Sequence, residues 1–438
     1  MNIKVCKFGG TSMADYNAIS KVRDIIVSDP ERRFVVVSAP GKRFKEDIKI
    51  TDVLYACYEE KVCKGTCKEK FKLIRERFLG IVSDMGLSID IEKYLDQVER
   101  GIDNSSAPDY AASRGEYLSA LVMSNVLGLE FIDAAEIIKF NTLGKFDAET
   151  TNDLVSKRLS LEKGAVIPGF YGAMPDGTIK TFTRGGSDFT GAIIARGVMA
   201  DVYENWTDVD GFMTTDPRIV DHPVLIDVLS YEELRELSYM GASVLHPDST
   251  FPLQGTNIPI NIKNTFNPSA KGTFIVKDTS AKGGRLVTGI AGRKGFTTIL
   301  IKKSLMNAEI GFVRRVLSVL ENYNINLEHI PTGIDTMSLI IPDTELVNGI
   351  EFELIEKIRG KVNPDYIYIY KDISLLAIVG HGMNNQTGTA AKIFTALAEE
   401  KINIKMIDQG SSELNIIVGV NTADLERAIK AIYYAFFG

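Results

Sequence analysis

Six residues in the last third of the chain recur at a constant offset. Gly311, Leu320, Ile325, Asn326, Ile330 and Gly333 reappear 77 positions later as Gly388, Leu397, Ile402, Asn403, Ile407 and Gly410. A period this long, present only twice, does not suit a solenoid, which stacks several short repeats. The segment must therefore fold as two copies of one small α/β module. Each copy reads as strand, helix, strand, strand: 297–301, 311–322, 325–330 and 337–341, then 375–379, 388–400, 402–407 and 414–420. Further helices are expected near 351–359 and 424–436. The second copy has little chain left for a final strand, and 366–370 can pair with either copy. Modules at 296–365 and 366–438 are therefore expected to interlock.

The 280–285 segment, Ser-Ala-Lys-Gly-Gly-Arg, separates this repeat from a differently patterned first part, 1–285. There, apolar β-branched runs alternate with amphipathic stretches, the pattern of a mostly parallel α/β sheet. Asp15 is placed to cap a helix running to about Ser28, with Ile19, Val22, Ile25 and Ile26 on one face. Phe34-Val35-Val36-Val37 then reads as a buried strand. A charged helical insertion is expected at about 66–101.

The first strand runs into Lys7-Phe8-Gly9-Gly10-Thr11-Ser12. Paired glycines allow successive backbone N–H groups to converge on an anion, and a following helix adds the positive end of its dipole. The spacing is not that of a P-loop. A tight turn is the other reading of a lone glycine pair.

A length of 438 residues allows about three domains. The net charge of −7, with no basic stripe, argues against a nucleic-acid partner. No apolar run is long enough to span a membrane, and the N-terminus reads as a strand rather than a leader. The cysteines Cys6, Cys57, Cys63 and Cys67 have no neighbouring histidine, so reduced thiols of a cytoplasmic chain are expected rather than a metal site.

Four clusters carry a resemblance: the 7–12 turn; Ser113-Arg114-Gly115-Glu116; Thr183-Arg184-Gly185-Gly186-Ser187-Asp188; and Thr207-Asp208-Val209-Asp210-Gly211 with Thr214-Thr215-Asp216-Pro217-Arg218. With Val244-Leu245-His246-Pro247 and Gln409-Gly410-Ser411-Ser412-Glu413-Leu414-Asn415, they make the chain resemble aspartate kinases of the amino-acid kinase family over nearly its whole length. The resemblance implies an amino-acid-kinase-like three-layer sandwich followed by two ferredoxin-like ACT modules. It also implies transfer of a phosphoryl group from ATP·Mg²⁺ to the side chain of L-aspartate, the first step towards lysine, threonine and methionine. An amino-acid effector, lysine, threonine or both, would regulate a homo-oligomer, dimer or tetramer, assembled through the ACT modules. No tightly held metal is implied.

The acceptor, a carboxylate with a pKa of about 3.9, is already ionised at neutral pH, so no base is needed to create the nucleophile. Catalysis must instead position two anions and neutralise their repulsion. On the resemblance, Lys7 neutralises the transferring group and Asp188 orients Lys7 or the substrate ammonium. The Arg184 fork takes the α-carboxylate, with Ser187 beside it. Glu116 holds the α-ammonium and Thr51 contacts aspartate. Phe8, Gly9, Gly10, Ser38, Thr207, Asp208, Met213, Arg218 and Ser243 surround ATP. Met213 stands where an aromatic residue is expected, and Ser243 where relatives carry lysine. Read from pattern alone, Ser113 and Glu116 equally form a capping box, and Thr51, Ser187 or Asp188 equally cap helices. The matching effector positions are Met306, Glu309, Gly311, Phe312, Val313, Glu328, Thr332, Gly333 and Ile334, with Ile334 replacing an acid of some relatives. Core packing is the other reading of Phe312 and Val313. Another amino-acid kinase, a catalytically dead amino-acid sensor and a dinucleotide dehydrogenase are the alternatives.

Overall fold

The computed structural model describes residues 2–159, 163–183, 185–242, 244–279 and 285–438. Two compact units result: 1–212 with 225–234 and 244–278, and 213–224 with 235–243 and 279–438.

In the first unit, β1 (Lys4–Phe8) leads through a 3₁₀ turn (Gly10–Met13) into α1 (Tyr16–Val27), whose first turn Asp15 caps by accepting from the Ala18 N–H at 3.0 Å. After β2 (Arg32–Val37) come four helices, α2 (Ile50–Lys64), α3 (Lys68–Asp84), α4 (Ile91–Asn104) and α5 (Pro108–Leu127). β3 (Glu130–Phe131), α6 (Ala134–Ile137) and α7 (Ala148–Arg158) lead to β4 (Ala165–Pro168). A hairpin of β5 (Tyr171–Ala173) and β6 (Ile179–Thr181) precedes α8 (Gly186–Gly197) and β7 (Val202–Thr207). The unit closes with β8 (Val228–Ser230), the start of α9 (Tyr231–Tyr239), β9 (Ile260–Asn264) and β10 (Thr273–Val276).

Eight strands form one sheet in the order β3-β4-β2-β1-β7-β9-β10-β8, with every pair parallel except β9 with β10. This places β1 and β7 side by side at the centre, where the 7–12 turn leaves the carboxyl end, the usual ligand edge of such sheets. Because both faces are covered, β2 reads as a continuous apolar run rather than an alternating one. The helical insertion shares this core: Phe71, Ile74 and Phe78 of α3 and Leu95 and Val98 of α4 are buried in one cluster with Cys6, Phe8, Val35 and Val37. Truncating a buried aromatic such as Phe78 to alanine costs about 3–5 kcal/mol.

The second unit holds a five-stranded antiparallel sheet, β12-β11-β13-β15-β14. Its strands are β11 (Gly289–Lys302), β12 (Thr336–Pro342), β13 (Tyr366–Val379), β14 (Met406–Asp408) and β15 (Asn415–Asn421). Its helices are α10 (Phe312–Asn322), α11 (Ile350–Val362), α12 (Thr389–Glu399) and α13 (Leu425–Phe437). The two 14-residue strands β11 and β13 pair from Lys302↔Tyr366 to Gly289↔Val379. One end of this ribbon carries β12 and the other carries β15. Two apolar clusters lie along it. One gathers Val316, Leu320, Leu339 and Leu354, the other Ile393, Leu397, Val418 and Ile429.

The recurring glycines have a physical reason. Gly311 (φ 76°) and Gly388 (φ 89°) are the left-handed N-caps of α10 and α12, a conformation in which Cβ is unfavourable. The strand expected at 325–330 is instead an extended segment that touches β12 through a single bridge, His329 to Ile340. Its polar Asn326, Glu328 and His329 break the apolar run. Among the described residues, no helix is long and apolar enough to cross a membrane.

Candidate functional site

Strand register builds the centre of the site. Lys7 on β1 lies opposite Asn205 on β7, so both side chains leave the same face and meet Asp188 on the first turn of α8. Lys7 Nζ stands 2.5 Å from Asp188 Oδ1, and Asn205 Nδ2 donates to the same oxygen at 2.8 Å. Lys7 is buried, and Asp188 is half-buried. A buried ammonium needs a carboxylate partner, and this pair supplies it while leaving the ammonium's remaining donors for a ligand.

Asp188 and Ser187 do not cap α8. Gly185, in the left-handed region at φ 55°, is the N-cap, without a side-chain hydrogen bond. The helix can therefore start directly from the glycine pair, with its positive end beside Lys7. Arg184 and Ser243 lie outside the described residues.

The 7–12 turn is positioned by backbone bonds. Gly9 N–H donates to Trp206 O at 3.0 Å, so that amide belongs to the sheet. The Gly10 and Thr11 N–H groups open the 3₁₀ turn, the position at which a helix has no acceptor of its own to offer. The Phe8 ring is fully buried and stacked on Trp206, with centroids 5.9 Å apart, so only its backbone is available to a ligand. Its carbonyl accepts from Ser38 N–H at 3.1 Å. Thr207 ends β7, and its hydroxyl donates to Asp208 at 3.2 Å on an exposed rim.

The capping reading of Ser113 and Glu116 fails. α5 begins at Pro108, a proline placed where a helix lacks an N–H acceptor, and Ser113 sits inside it, donating to Tyr110 O at 2.7 Å. Glu116 is then a mid-helix carboxylate, buried, with no hydrogen-bond partner for Oε2. Burial pushes its pKa up to about 8, against the pull of the Ala39 N–H, Arg114 and Lys7. A buried carboxyl with a spare acceptor atom suits a ligand ammonium. Thr51 is likewise not a cap: it is the second residue of α2, behind Lys49.

Met213 and Arg218 belong to the second unit. Met213 is half-buried, and the exposed Arg218 guanidinium is held by Asp216 at 2.6 Å. In that unit the 303–313 and 332–335 turns meet: Asn307 N–H donates to Ile334 O at 3.2 Å and Leu305 N–H to Asp335 at 2.9 Å. Met306 and Phe312 are core residues, whereas Val313, Thr332, Gly333 and Ile334 are exposed. Glu309 pairs with Lys303 at 2.6 Å and with Arg315. Glu328 takes a different place. Its buried carboxylate accepts from Tyr239 OH at 3.1 Å and lies 3.7 Å from Arg293, with Oε1 lacking a hydrogen bond.

Asn205 and Gly41 were not identified from the sequence. Gly41 N–H donates to Gly10 O at 2.7 Å, and a Cβ on Gly41 would stand 2.6 Å from Gly10 C. Ala39-Pro40-Gly41 after a buried strand was the only signal for Gly41. Nothing local marks Asn205, whose role depends on register.

The model of the amino acid kinase family matches residues 2–264, and that of an ACT domain matches 376–436. Aspartokinase 3 of Bacillus subtilis is 37% identical over 457 residues, covering 99% of each chain. The crystal structure of Clostridium acetobutylicum aspartate kinase superposes with a TM-score of 0.92 at 50% identity, covering 100% of both chains. Escherichia coli aspartokinase III, solved with aspartate and ADP in an R-state and with lysine and aspartate in a T-state, gives TM-scores of 0.76 at 27% and 28% identity, again covering 100% of both chains.

Proposed function

The chain belongs to the amino-acid kinase family, and within it to the aspartokinases, and from that premise we propose that it phosphorylates the side-chain carboxylate of L-aspartate with ATP·Mg²⁺, giving 4-phospho-L-aspartate. The observation that carries this reading is the buried Lys7 ammonium, held at 2.5 Å by Asp188 beside the Gly9-Gly10 turn. An acceptor carboxylate and a triphosphate repel each other. A fixed cation where they meet, together with the amides of Gly10 and Thr11, lowers that repulsion without any proton transfer. Asp188 orients Lys7 rather than acting as a base. Glu116 receives the substrate ammonium, Thr51 and Ser187 contact aspartate, and Arg184 takes the α-carboxylate. Ser38, Thr207 and Asp208 complete the nucleotide site on this unit. Mg²⁺ enters with the triphosphate, as part of the substrate.

For regulation, we propose that lysine binds at the joined 303–313 and 332–335 turns and that its effect depends on Glu328, which the Arg293 guanidinium and the Tyr239 hydroxyl hold in place. This would place the enzyme at a feedback-controlled entry to the synthesis of aspartate-derived amino acids. Pairing of two copies through the modules is supported by the exposed ladder Tyr366, Tyr368 and Tyr370 on β13, stacked at 6.0 and 6.5 Å.

The test couples ADP release to hydroxylamine trapping of the acyl phosphate, with aspartate, glutamate and N-acetylglutamate as acceptors. Aspartyl hydroxamate formed in step with ADP supports the reading. ADP release with another acceptor alone, or with none, refutes it.

A further inference from the structure

We propose that Arg77, supplied by the helical insertion, is a positioning residue for this reaction, bracing the loop that ties the anion turn to the Glu116 pocket. The inference rests on the phosphoryl-transfer reading above and assigns the insertion a part in it.

The loop after β2 makes a different site connection at almost every residue. Ser38 N–H donates to Phe8 O at 3.1 Å. The Ala39 N–H is a donor to the Glu116 carboxylate. Pro40 O accepts from Ile50 N–H at 3.1 Å at the start of α2, the helix that carries Thr51, and Gly41 N–H donates to Gly10 O at 2.7 Å. Four consecutive residues thus set the spacing between anion cradle, ammonium carboxylate and substrate helix. Gly41 leaves no slack, because a Cβ there would overlap Gly10.

Arg77 holds this loop from behind. Its Nη1 donates to Gly41 O at 3.1 Å and to Ala14 O at 3.3 Å, and its Nη2 donates to Asp47 Oδ2 at 2.8 Å. Asp47 also binds the Arg43 guanidinium at 2.8 and 3.0 Å. One guanidinium therefore joins the two ends of the glycine turn's surroundings, Ala14 and Gly41, to the far end of the loop. Only a planar fork reaches three such acceptors.

Packing alone gives no reason for an arginine here. Its neighbours on the inner face of α3, Phe71, Ile74, Phe78 and Ile81, are apolar and buried. Arg77 is 8% exposed, and burying a guanidinium costs several kcal/mol before its partners offset it. An apolar residue would serve the core at lower cost, so what the arginine adds is geometry. A cavity of about 220 Å³, lined by Asp15, Tyr16, Glu76 and Arg77 among others, adjoins the guanidinium. That space would admit a free guanidinium ion to a truncated variant.

The experiment uses the full chain. Arg77→Met is expected to keep the parent's melting temperature within a few degrees while kcat/KM for ATP falls at least tenfold, and ADP binding measured by calorimetry should weaken likewise. In Arg77→Ala, low-millimolar guanidinium should restore at least a third of the lost kcat/KM, which a loss confined to stability would not allow. Should the Arg77 variants fail to fold, Gly41→Ala keeps the arginine and displaces the loop, and the same tenfold loss is expected there. A well-folded Arg77→Met, or failing that a Gly41→Ala, with kcat/KM and ADP affinity within twofold of the parent overturns the proposal. A parent enzyme that releases no ADP with aspartate refutes the functional reading instead, and ADP binding then still reports on Arg77.

Discussion

Replacing Glu116 by glutamine should stabilise the protein while damaging it as an enzyme, and both effects should depend on pH. The folded-state pKa of Glu116 is raised from 4.5 to about 8 by burial. Between those values the folded chain retains a proton that the unfolded chain has released, so stability falls as pH rises through this window. Integrating that difference gives a penalty of about 2 kcal/mol at pH 6 and between 4 and 5 kcal/mol at pH 8.5. Glu116→Gln removes the titration, so its gain over the parent should grow by about 2–3 kcal/mol between the two pH values. For units of this size, that is a difference in melting temperature of about 5–10 °C. The same carboxyl controls ligand binding. An ammonium binds only the ionised form, which rises from about 9% of molecules at pH 7 to about 76% at pH 8.5. The KM for aspartate of the parent should therefore fall about eightfold over that range, while Glu116→Gln shows a high KM with no such slope. Scanning calorimetry and steady-state kinetics across pH measure the two effects. A stability gain in Glu116→Gln that is the same at pH 6 and 8.5 would refute the assignment of the raised pKa to burial.

Lys7→Met should lower kcat by at least 10³ with the fold intact, as expected for loss of a cation acting in the transition state, and single-turnover ADP formation would show it. Asn205→Ala removes one of two groups fixing Asp188 and should reduce kcat roughly tenfold with little change in KM for ATP, read from initial rates. Glu328→Gln should leave the uninhibited rate near normal and raise the lysine concentration for half-inhibition at least tenfold; an unchanged inhibition curve counts against the regulatory site. Gly388→Ala places a Cβ in open space but at φ 89°, so it should cost about 1 kcal/mol through backbone strain alone, measurable by urea unfolding.

Local physics made part of this legible in advance. The Asp15 cap, the end of α1 at Ser28 and the helix starts after Gly311 and Gly388 depend on neighbours within four residues, a range that sequence pattern covers well. The Ser113-x-x-Glu116 pattern misled because a capping motif is ambiguous inside a longer helix. The decisive signal lay five residues earlier, in Ala107-Pro108. Lys7 and Asp188 could be joined only through family resemblance, since 181 positions separate them. Asn205, Gly41 and Arg77 act through strand register and a long-range loop contact, and such partners leave no mark on the residues beside them. The polar 325–330 segment failed as a strand because, apart from its bridge at His329, nothing pairs it to β12.

The ribbon formed by β11 and β13 carries an implication for anyone dissecting this protein. Because each strand contributes one half to either regulatory lobe, cutting the chain at its apparent seam near Asn363 would strip the first lobe of a strand and expose a bare edge along Thr298–Lys302. Such an edge invites intermolecular pairing, so a fragment truncated there should aggregate, whereas one that keeps 285–438 retains both hydrogen-bonded borders. Since one ribbon runs through both duplicated halves, they should stand or melt as one body.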